Sequence, residues 1–300
     1  MTQVQRDVRV GIVQMPVDPW AITVKRAQEL ESLGFDHLWI YDHLTWRHYR
    51  DGPWHASLPW LTGLAAATDR IEIGTLVATP NLRHPAMLAK EAMSIDHVAD
   101  GRFILGLGAG ATSGDAVAYG QERLTAAERA ERFEEYVTVL DGLLRGELTD
   151  HNGTWFAFNE ARVLPGCVRQ PRVPLAVASG GPRLTRLAAA MADTWITLGD
   201  VFVPPTSLDD FLTTVADQAA VLDRACHDRG RDPVDVGRLL FVSGSNPFPT
   251  AGLEPFVELT GRAAELGFTD IVIHDPRSDD PDLAFDPDLI PAIAAWQNGQ

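Results

Sequence analysis

The sequence predicts a single (β/α)₈ barrel, also called a TIM barrel, over residues 1–300. Short runs rich in Val, Ile and Leu alternate with longer segments of helical periodicity, and this alternation predicts parallel strands joined by helices. Eight such units follow one another, which is the number that closes a barrel, and barrels of this length are commonly one domain. An open, doubly wound sheet is the alternative, but eight units without a second domain favour the barrel.

The predicted strands are short and rich in branched apolar residues, and they cover 8–14, 37–41, 71–77, 102–107, 175–178, 194–198, 238–243 and 269–274. The predicted helices follow them at 19–33, 57–68, 85–98, 125–145, 183–192, 207–228, 255–266 and 287–297. Residues 146–166 are an insertion after the fourth unit, for which a short hairpin is predicted. Residues 276–288 are rich in Asp and Pro, which predicts a solvated loop.

The net charge and composition exclude several classes of partner. The formal charge is −16 and the pI is about 4.9, so the chain as a whole repels nucleic acids and anionic membranes. No apolar run approaches the roughly 18 residues that span a bilayer. Residues 1–10 lack the apolar core of a signal peptide, and Cys167 and Cys226 lack metal-ligand spacing. We therefore expect a cytoplasmic protein that acts on a small molecule.

The carboxyl ends of the strands are where a barrel places its active site, so we searched them for polar residues and glycines. The second, third, fourth and fifth strands supply such residues, and Gln14 and His274 end the first and the eighth. The candidates are Asp42-His43, Ala78-Thr79-Pro80, Gly106-Leu107-Gly108-Ala109-Gly110 and Ser179-Gly180-Gly181-Pro182. We expect all of them to converge on one mouth of the barrel.

Asp42 and His43 are the pair most suggestive of catalysis. A histidine at a strand end can exchange a proton near neutral pH. The alternative is a helix-capping aspartate beside a packed histidine. The following loop, 44–60, contains Trp46 and Trp54, which either wall a pocket for a flat ligand or pack as a surface loop.

Two glycine-rich segments have both a functional and a structural interpretation. Ser179-Gly180-Gly181-Pro182 precedes a helix and could hold a phosphate on backbone N–H groups, or it could be a tight turn without a ligand. The glycines at 106, 108 and 110 lack the full dinucleotide spacing, and they make room either for a ring or phosphate or for packing. Arg83 and His84 have two interpretations as well: they could bind an anion, or they could simply begin the third helix.

These landmarks together resemble the luciferase-like monooxygenase family, and the resemblance covers essentially the whole chain. The matching segments occur in family order, and one of them is GRFILGLGAG. They are residues 33–39 with 42–44, 73–80 with 83–85, 94–96, 101–110, 129–140, 174–181, 192–195 and 266–274.

The Asp-His pair resembles the branch of the family that binds the deazaflavin coenzyme F420, since flavin enzymes more often have a glutamate there. The resemblance implies that Asp42 contacts the deazaflavin or its ribityl chain. It implies that His43 is a catalytic proton donor or orienting residue beside the ring, with Trp46 as a second catalytic candidate. The Leu76–Val77 bond matches a bulge with a non-prolyl cis peptide that supports the ring. The expected contacts of the tail and phosphate are Thr79, Gly108, Ala109, Gly110, Ser179, Gly180 and Gly181.

Two positions depart from the pattern of the deazaflavin sugar-phosphate dehydrogenases in the family. Those enzymes carry a glutamate just after the fourth-strand glycines, where this chain has Ala111. Their tryptophan follows the histidine by four residues, whereas Trp46 follows His43 by three. The resemblance therefore carries over hydride transfer with a deazaflavin but not the sugar-phosphate substrate.

Three functions remain open from the sequence. The first is an F420-dependent oxidoreductase. The second is an FMN-dependent monooxygenase that uses reduced flavin and O₂. The third is a barrel that only binds a ligand or partner, and the presence of Asp42, His43 and the Ser179–Gly181 glycines argues against it. The family resemblance also implies a homodimer packed through the second and third helices.

Overall fold

Eight parallel strands close a barrel in the computed structural model, which describes residues 8–110, 114–200, 202–242 and 248–299. The barrel strands are β1 (Arg9–Val13), β2 (His37–Ile40), β3 (Glu72–Thr75), β4 (Phe103–Leu107), β7 (Leu175–Ala178), β8 (Thr194–Thr197), β9 (Gly237–Phe241) and β10 (Asp270–His274). Around the barrel they run in the order β1-β10-β9-β8-β7-β4-β3-β2. The predicted (β/α)₈ barrel is confirmed. The end of the predicted seventh strand, Ser243, lies outside the described residues.

The helices lie close to their predicted ranges. They are α1 (Trp20–Leu33), α2 (Ser57–Ala67), α3 (Pro85–Val98), α5 (Ala126–Leu144), α6 (Pro182–Met191), α7 (Leu208–His227), α8 (Leu253–Glu265) and α9 (Leu289–Asn298). A further short helix, α4 (Gly114–Ala118), was not predicted, because its five residues are too few to show a periodicity.

The insertion after α5 forms the predicted hairpin. Strands β5 (His151–Asn152) and β6 (Ala157–Phe158) pair in antiparallel register. The loop 276–288 is also present, and most of its residues are exposed, as predicted. Asp280 and Leu283 are buried, and the backbone N–H of Leu283 donates to the carbonyl of Asp280 at 2.9 Å. The aspartates and prolines of this loop predict its turns, but they do not reveal that Leu283 is buried.

The chain divides into two compact units. The first comprises Met1–Gln14, Gln28–Leu38 and Ser179–Gln300. A cluster of polar and charged side chains around the buried Asp270 joins the amino ends of β1, β2 and β10 in this unit. Asp270 accepts hydrogen bonds from Arg9 at 2.9 Å and Thr269 at 2.6 Å, and it bonds the His37 ring at 3.0 Å. Since the carboxylate is buried, these partners replace the water that it would otherwise bind.

The second unit comprises Met15–Ala27 and Trp39–Ala178. Its core contains the fully buried rings of Trp39, Phe103, Phe133 and Tyr136. Trp39 lies directly against Gly74, where an added Cβ would come 2.5 Å from the indole ring. The glycine in β3 is therefore required by the tryptophan in β2.

Helix α5 begins with a capping box, which fixes where the chain turns into the helix. Thr125 Oγ accepts from the Glu128 backbone N–H at 3.2 Å, and the Glu128 carboxylate accepts from the Thr125 backbone N–H at 2.7 Å. Each side chain therefore satisfies a backbone donor that the first helical turn leaves without a partner. This start sets the register of α5, which carries Arg132 and Tyr136.

The described residues contain neither a membrane-spanning helix nor a metal-binding cluster. None of the helices in the described part of the chain is long and apolar enough to cross a membrane. Within the same residues no group of His, Cys, Asp or Glu side chains could hold a metal ion. Cys167 and Cys226 are both buried free thiols.

Candidate active site

His43 and Asp115 form the central hydrogen bond of the candidate site in the second unit. The chain leaves β2 at Ile40, and His43 follows in the loop. Its Nδ1 lies 2.7 Å from Asp115 Oδ2, and the backbone N–H of Leu44 donates to Asp115 Oδ1 at 2.8 Å. The Asp115 side chain is 2% exposed and that of His43 is 15% exposed. The loop after β2 is therefore tied at two points to the start of α4.

Three aromatic residues surround His43 and fix its position. The indole of Trp46 stacks on it with ring centroids 4.3 Å apart and an interplanar angle of 21°. Tyr41 meets the Trp46 ring edge-on at 5.6 Å, and Trp54 Nε1 donates to the His43 carbonyl at 2.8 Å. The loop 44–60 therefore packs around His43, and its role as the wall of a ligand pocket stays a prediction.

Asp42 faces a different set of partners from those of its neighbour His43. Its carboxylate is buried and accepts hydrogen bonds from the Ser57 hydroxyl, at the first residue of α2, and from the Arg83 guanidinium. Arg83 also approaches Glu91 at 3.3 Å, and the Tyr136 hydroxyl donates to the Arg83 carbonyl at 3.1 Å. Asp42 is therefore the centre of a buried charged network.

Burial and neighbouring charges together shift the pKa values of Arg83, Glu91 and Tyr136. Burial lowers the pKa of Arg83, but the charge and hydrogen bond of Asp42 and the charge of Glu91 outweigh it, so the pKa lies above its usual value. Burial, with a smaller contribution from the Asp42 charge, raises the pKa of Glu91 despite the nearby Arg83. Burial also raises the pKa of Tyr136. Arg83 is thus a permanent cation that neutralises Asp42.

The chain leaves β3 through an irregular segment whose Leu76–Val77 peptide bond is cis, at the bond that the family resemblance indicates. Leu76 N–H donates to the Ile40 carbonyl of β2 at 2.9 Å, and Ala78 N–H donates to the Gly106 carbonyl of β4 at 2.7 Å. Val77 lies between these two bonds. The third strand ends at Thr75, two residues before the predicted end, because the backbone from Leu76 onward is irregular although it still bonds both neighbouring strands.

Gly106, Gly108 and Gly110 alternate along β4 and its exit. Each of them lies against a residue at the end of β3 or in the segment that leaves it. An added Cβ would collide with the Thr75 carbonyl at Gly106, would lie 2.5 Å from the Val77 side chain at Gly108, and would collide with the Asn81 amide at Gly110. The packing interpretation therefore accounts for all three. Gly110 and Ala109 are nevertheless partly exposed, so their backbone remains accessible to a ligand.

Arg132 supports the same segment from α5. Its guanidinium donates to the Asn81 side-chain carbonyl, while Gln121 donates to the Asn81 backbone carbonyl at 2.9 Å. Asn81 N–H in turn donates to Thr79 Oγ at 3.3 Å. Among the described residues Arg132 has no ion pair, and burial lowers the pKa of its guanidinium. Arg132 thus holds the turn that carries Thr79.

The Ser179–Gly181 turn belongs to the first unit. The Ser179 hydroxyl accepts from Trp195 Nε1 at 2.9 Å and contacts the Thr185 hydroxyl at 3.1 Å, so its side chain is used within the protein. Gly181 is the N-cap of α6, which has no side-chain cap, and an added Cβ there would meet open space. The exposed backbone of Gly180 and Gly181 is therefore available to a ligand.

Most of the predicted site residues lie in the second unit, whereas Ser179, Gly180 and Gly181 lie in the first. Those in the second unit are Asp42, His43, Trp46, Leu76, Val77, Thr79, Gly108, Ala109 and Gly110. His84 caps α3, because its ring accepts from the Ala86 N–H at 3.3 Å, and this confirms that it begins the helix. His274 is buried and its ring lies 5.2 Å from that of Phe241. Ala111 lies outside the described residues.

Asp115 was missed by the sequence analysis, and so was the pairing of Arg83 with Asp42. Asp115 is 72 positions from His43, and Arg83 is 41 positions from Asp42. No local pattern marks such contacts. One feature of the sequence could have pointed to Asp115: it is an acidic residue that comes shortly after the glycines at the end of the fourth strand.

Comparison with known proteins agrees with this architecture. The sequence profile of luciferase-like monooxygenases matches residues 2–247. An F420-dependent glucose-6-phosphate dehydrogenase from Beutenbergia cavernae is 31% identical over 293 residues, covering 83% of this chain and 85% of the relative. The chain belongs to the luciferase-like monooxygenase family.

Two solved structures share the fold of this luciferase-like chain. The coenzyme F420-dependent tetrahydromethanopterin reductase from Methanopyrus kandleri superposes with a TM-score of 0.72 at 16% identity, covering 96% of this chain and 97% of that one. An F420-dependent secondary alcohol dehydrogenase, in complex with an F420-acetone adduct, superposes with a TM-score of 0.77 at 18% identity, covering 96% and 98%. At these identities the likeness establishes the fold.

Proposed function

We propose that this luciferase-like protein is an F420-dependent oxidoreductase that transfers a hydride between the deazaflavin ring and a small organic substrate. The observation that carries the proposal is the His43 imidazole, which is held at a strand end by Asp115 and Trp46. The F420-dependent dehydrogenase from Beutenbergia cavernae supports the choice of cofactor, because its similarity covers most of both chains.

The residues present fit a phosphate-bearing cofactor. Gly181 has open space where a Cβ would be, and it begins a helix without a side-chain cap. The N-terminus of such a helix offers backbone N–H donors and a favourable dipole to an anion. Gly180 is exposed, so a ligand can reach its backbone from solvent. We assign Gly180 and Gly181 to the phosphate, with Ser179 supporting the turn.

The second unit supplies the residues that would hold the ring and act on the substrate. The cofactor, when bound, accepts or gives the hydride. His43 holds or releases the proton that accompanies this transfer, and Trp46 fixes the plane of the His43 ring. The residues that we assign to the ring and tail are Asp42, Leu76, Val77, Thr79, Gly108, Ala109 and Gly110.

The network of Asp42 defines how that residue can contribute. Since both carboxylate oxygens already accept hydrogen bonds, Asp42 can accept a further bond from a ligand only through a remaining lone pair. Arg83 neutralises the carboxylate, so a bound ligand is not exposed to an isolated negative charge. Asp42 therefore contributes a fixed acceptor and not a proton.

Parallel titration with coenzyme F420 and with FMN tests the proposal. Binding followed by fluorescence should show tight binding of F420 and at least tenfold weaker binding of FMN. A screen of alcohols and carbonyl compounds should then reveal a substrate whose turnover changes the absorbance of F420. Tight binding of FMN alone, with oxygen consumption, would overturn the proposal in favour of a flavin monooxygenase. Binding of neither would also overturn it.

The proposal also covers the cellular location and the oligomeric state of the enzyme. We place the enzyme in the cytoplasm, which is consistent with two buried free thiols.

We also propose a homodimer through α2 and α3, and the exposed Met87 and Val98 of α3 support an apolar contact there. Sedimentation of the purified protein measures its oligomeric state. Met87→Glu places a charge in the proposed contact and should therefore favour the monomer. A monomer at all concentrations would contradict it.

A further inference from the structure

We propose that Asp115 is a positioning residue that fixes the tautomer of His43, so that Nε2 is the atom that exchanges a proton with the substrate. The inference rests on the proposed function for its chemistry. It rests on the contacts of Asp115, His43 and Leu44 for its geometry.

The two carboxylate oxygens of Asp115 have separate donors. Oδ1 accepts from the backbone N–H of Leu44 at 2.8 Å, and Oδ2 lies 2.7 Å from His43 Nδ1. A backbone N–H can only donate, so the position of Oδ1 is determined by Leu44. An ionised carboxylate can only accept, so Nδ1 of His43 must carry the hydrogen of the second bond. Because Asp115 is 2% exposed, water does not compete for either oxygen.

This bond determines the state of the other ring nitrogen. In a neutral imidazole one nitrogen carries the proton and the other has a lone pair. With Nδ1 protonated, Nε2 is the acceptor, and no hydrogen-bond partner occupies it among the described residues. The ring cannot easily turn over to exchange its nitrogens, because Trp46 stacks on its face at 4.3 Å. His43 is therefore prepared as a base at Nε2.

The proton balance of the reaction follows from this arrangement. When an alcohol is oxidised, its O–H bond breaks and the proton passes to Nε2. The hydride would leave the neighbouring carbon with its electron pair as the C=O bond forms, and it would pass to oxidised F420 bound beside the substrate. The resulting imidazolium is stabilised by the Asp115 carboxylate. In the reverse direction Nε2–H donates its proton to the oxygen of the carbonyl compound.

Asp115→Asn is the variant that separates positioning from structure. The Leu44 N–H still requires an oxygen, so the amide of the asparagine must turn its NH₂ group toward His43 Nδ1. Since NH₂ can only donate, Nδ1 becomes the acceptor and the proton moves to Nε2. The variant keeps the size and the hydrogen bond to Leu44, but it inverts the tautomer.

The primary readout is the ¹⁵N spectrum of the histidine side chains in the protein without cofactor, with the His43 signals assigned by their loss in His43→Ala. We expect a protonated Nδ1 in the wild type and a protonated Nε2 in Asp115→Asn. The second readout is F420-dependent kcat, which should fall on the order of a hundredfold or more. The Kd for F420 should change less than threefold, because Asp115 does not contact the cofactor in this proposal.

Two controls accompany these measurements. Asp96→Asn alters another buried aspartate that accepts backbone N–H groups, from Val168 at 2.7 Å and Arg169 at 3.1 Å. It should leave the His43 spectrum and kcat unchanged. In a His43→Ala background, Asp115→Asn should lower kcat less than twofold further, because Asp115 acts through His43.

The outcomes distinguish this inference from the proposed function. An unchanged tautomer in Asp115→Asn, or a full additional loss of kcat in the His43→Ala background, would overturn the positioning role. If the wild type does not bind F420, the proposed function fails, but the spectrum still decides about Asp115: inversion of the tautomer supports its positioning of His43, and no inversion overturns it.

Discussion

The buried carboxylate of Asp42 is shared between the guanidinium of Arg83 and the hydroxyl of Ser57. We expect Arg83→Met to destabilise the protein by about 3–5 kcal/mol, because it leaves a buried charge without its partner. The measurement is chemical denaturation at neutral pH, followed by tryptophan fluorescence and circular dichroism.

The control for this prediction is the double variant Arg83→Met with Asp42→Asn. Removing both charges should recover at least half of the lost free energy of unfolding, since the uncompensated carboxylate is then absent. Ser57→Ala, which removes only a neutral donor to Asp42, should cost about 1–2 kcal/mol. A loss below about 1 kcal/mol in Arg83→Met would show that the carboxylate is hydrated or protonated instead.

The fold could be predicted from the sequence because each strand and helix carries its own periodicity. Eight repeats of one simple unit leave few other arrangements. The candidate site could be predicted only where a polar residue directly follows a strand, as with Asp42 and His43. The role of Asp115 could not, because its contact with His43 depends on how the exit of β4 lies beside the exit of β2.

The glycines at 106, 108 and 110 show why a motif can leave its meaning open. A missing Cβ is required both by a ligand that approaches the backbone and by a neighbouring side chain. At Gly108 the neighbour is Val77, whose position depends on the irregular exit of β3. The family resemblance indicates the bulge at that exit, but it does not reveal that Val77 packs against Gly108, so the structure is needed to choose the packing role.

Gly181 gives a direct test of the phosphate assignment. Because an added Cβ there meets no protein atom and the φ of −100° suits any residue, Gly181→Val should leave the melting temperature within about 2 °C. The Kd for F420 should nevertheless rise at least tenfold, since the side chain occupies the space assigned to the phosphate. Fluorescence titration measures the affinity. An unchanged Kd would contradict the assignment of this glycine.

Glu135 controls the hairpin of the insertion. Its carboxylate accepts backbone N–H groups of Thr154, Trp155 and Phe156 at 3.1, 3.0 and 2.9 Å, and it bonds the His151 ring at 3.0 Å. Burial raises its pKa, but these bonds outweigh burial, so the pKa lies below the usual value.

We expect Glu135→Gln to loosen this hairpin, because an amide oxygen cannot replace both carboxylate oxygens. Amide hydrogen exchange at 154–156 should accelerate at least tenfold, while exchange in β4 and β7 stays unchanged. The matched control is Glu134→Gln on the same helix, which should leave the hairpin amides unaffected. Unchanged exchange at 154–156 in Glu135→Gln would show that the β5–β6 pairing holds the hairpin by itself.

Asp270 makes the stability of the first unit sensitive to acid. Burial raises its pKa, but the hydrogen bonds and charges of His37, Arg9 and Thr269 outweigh burial, and the pKa of Asp270 lies below its usual value. A carboxyl with a lowered folded-state pKa contributes stability that is complete above its unfolded pKa of about 3.9 and is lost as the pH falls through the folded value.

We therefore expect Asp270→Asn to be less stable than the wild type at pH 7, by about 1–3 kcal/mol, because the buried His37 loses its charged acceptor and the half-exposed Arg9 loses its ion pair. The difference should shrink as the pH falls below about 4, where the wild-type carboxyl takes up its proton. Urea denaturation of both proteins between pH 7 and pH 3 measures this. A difference that is constant over the whole range would show that Asp270 is uncharged in the folded protein, and that the cluster at the start of β10 is held by neutral hydrogen bonds.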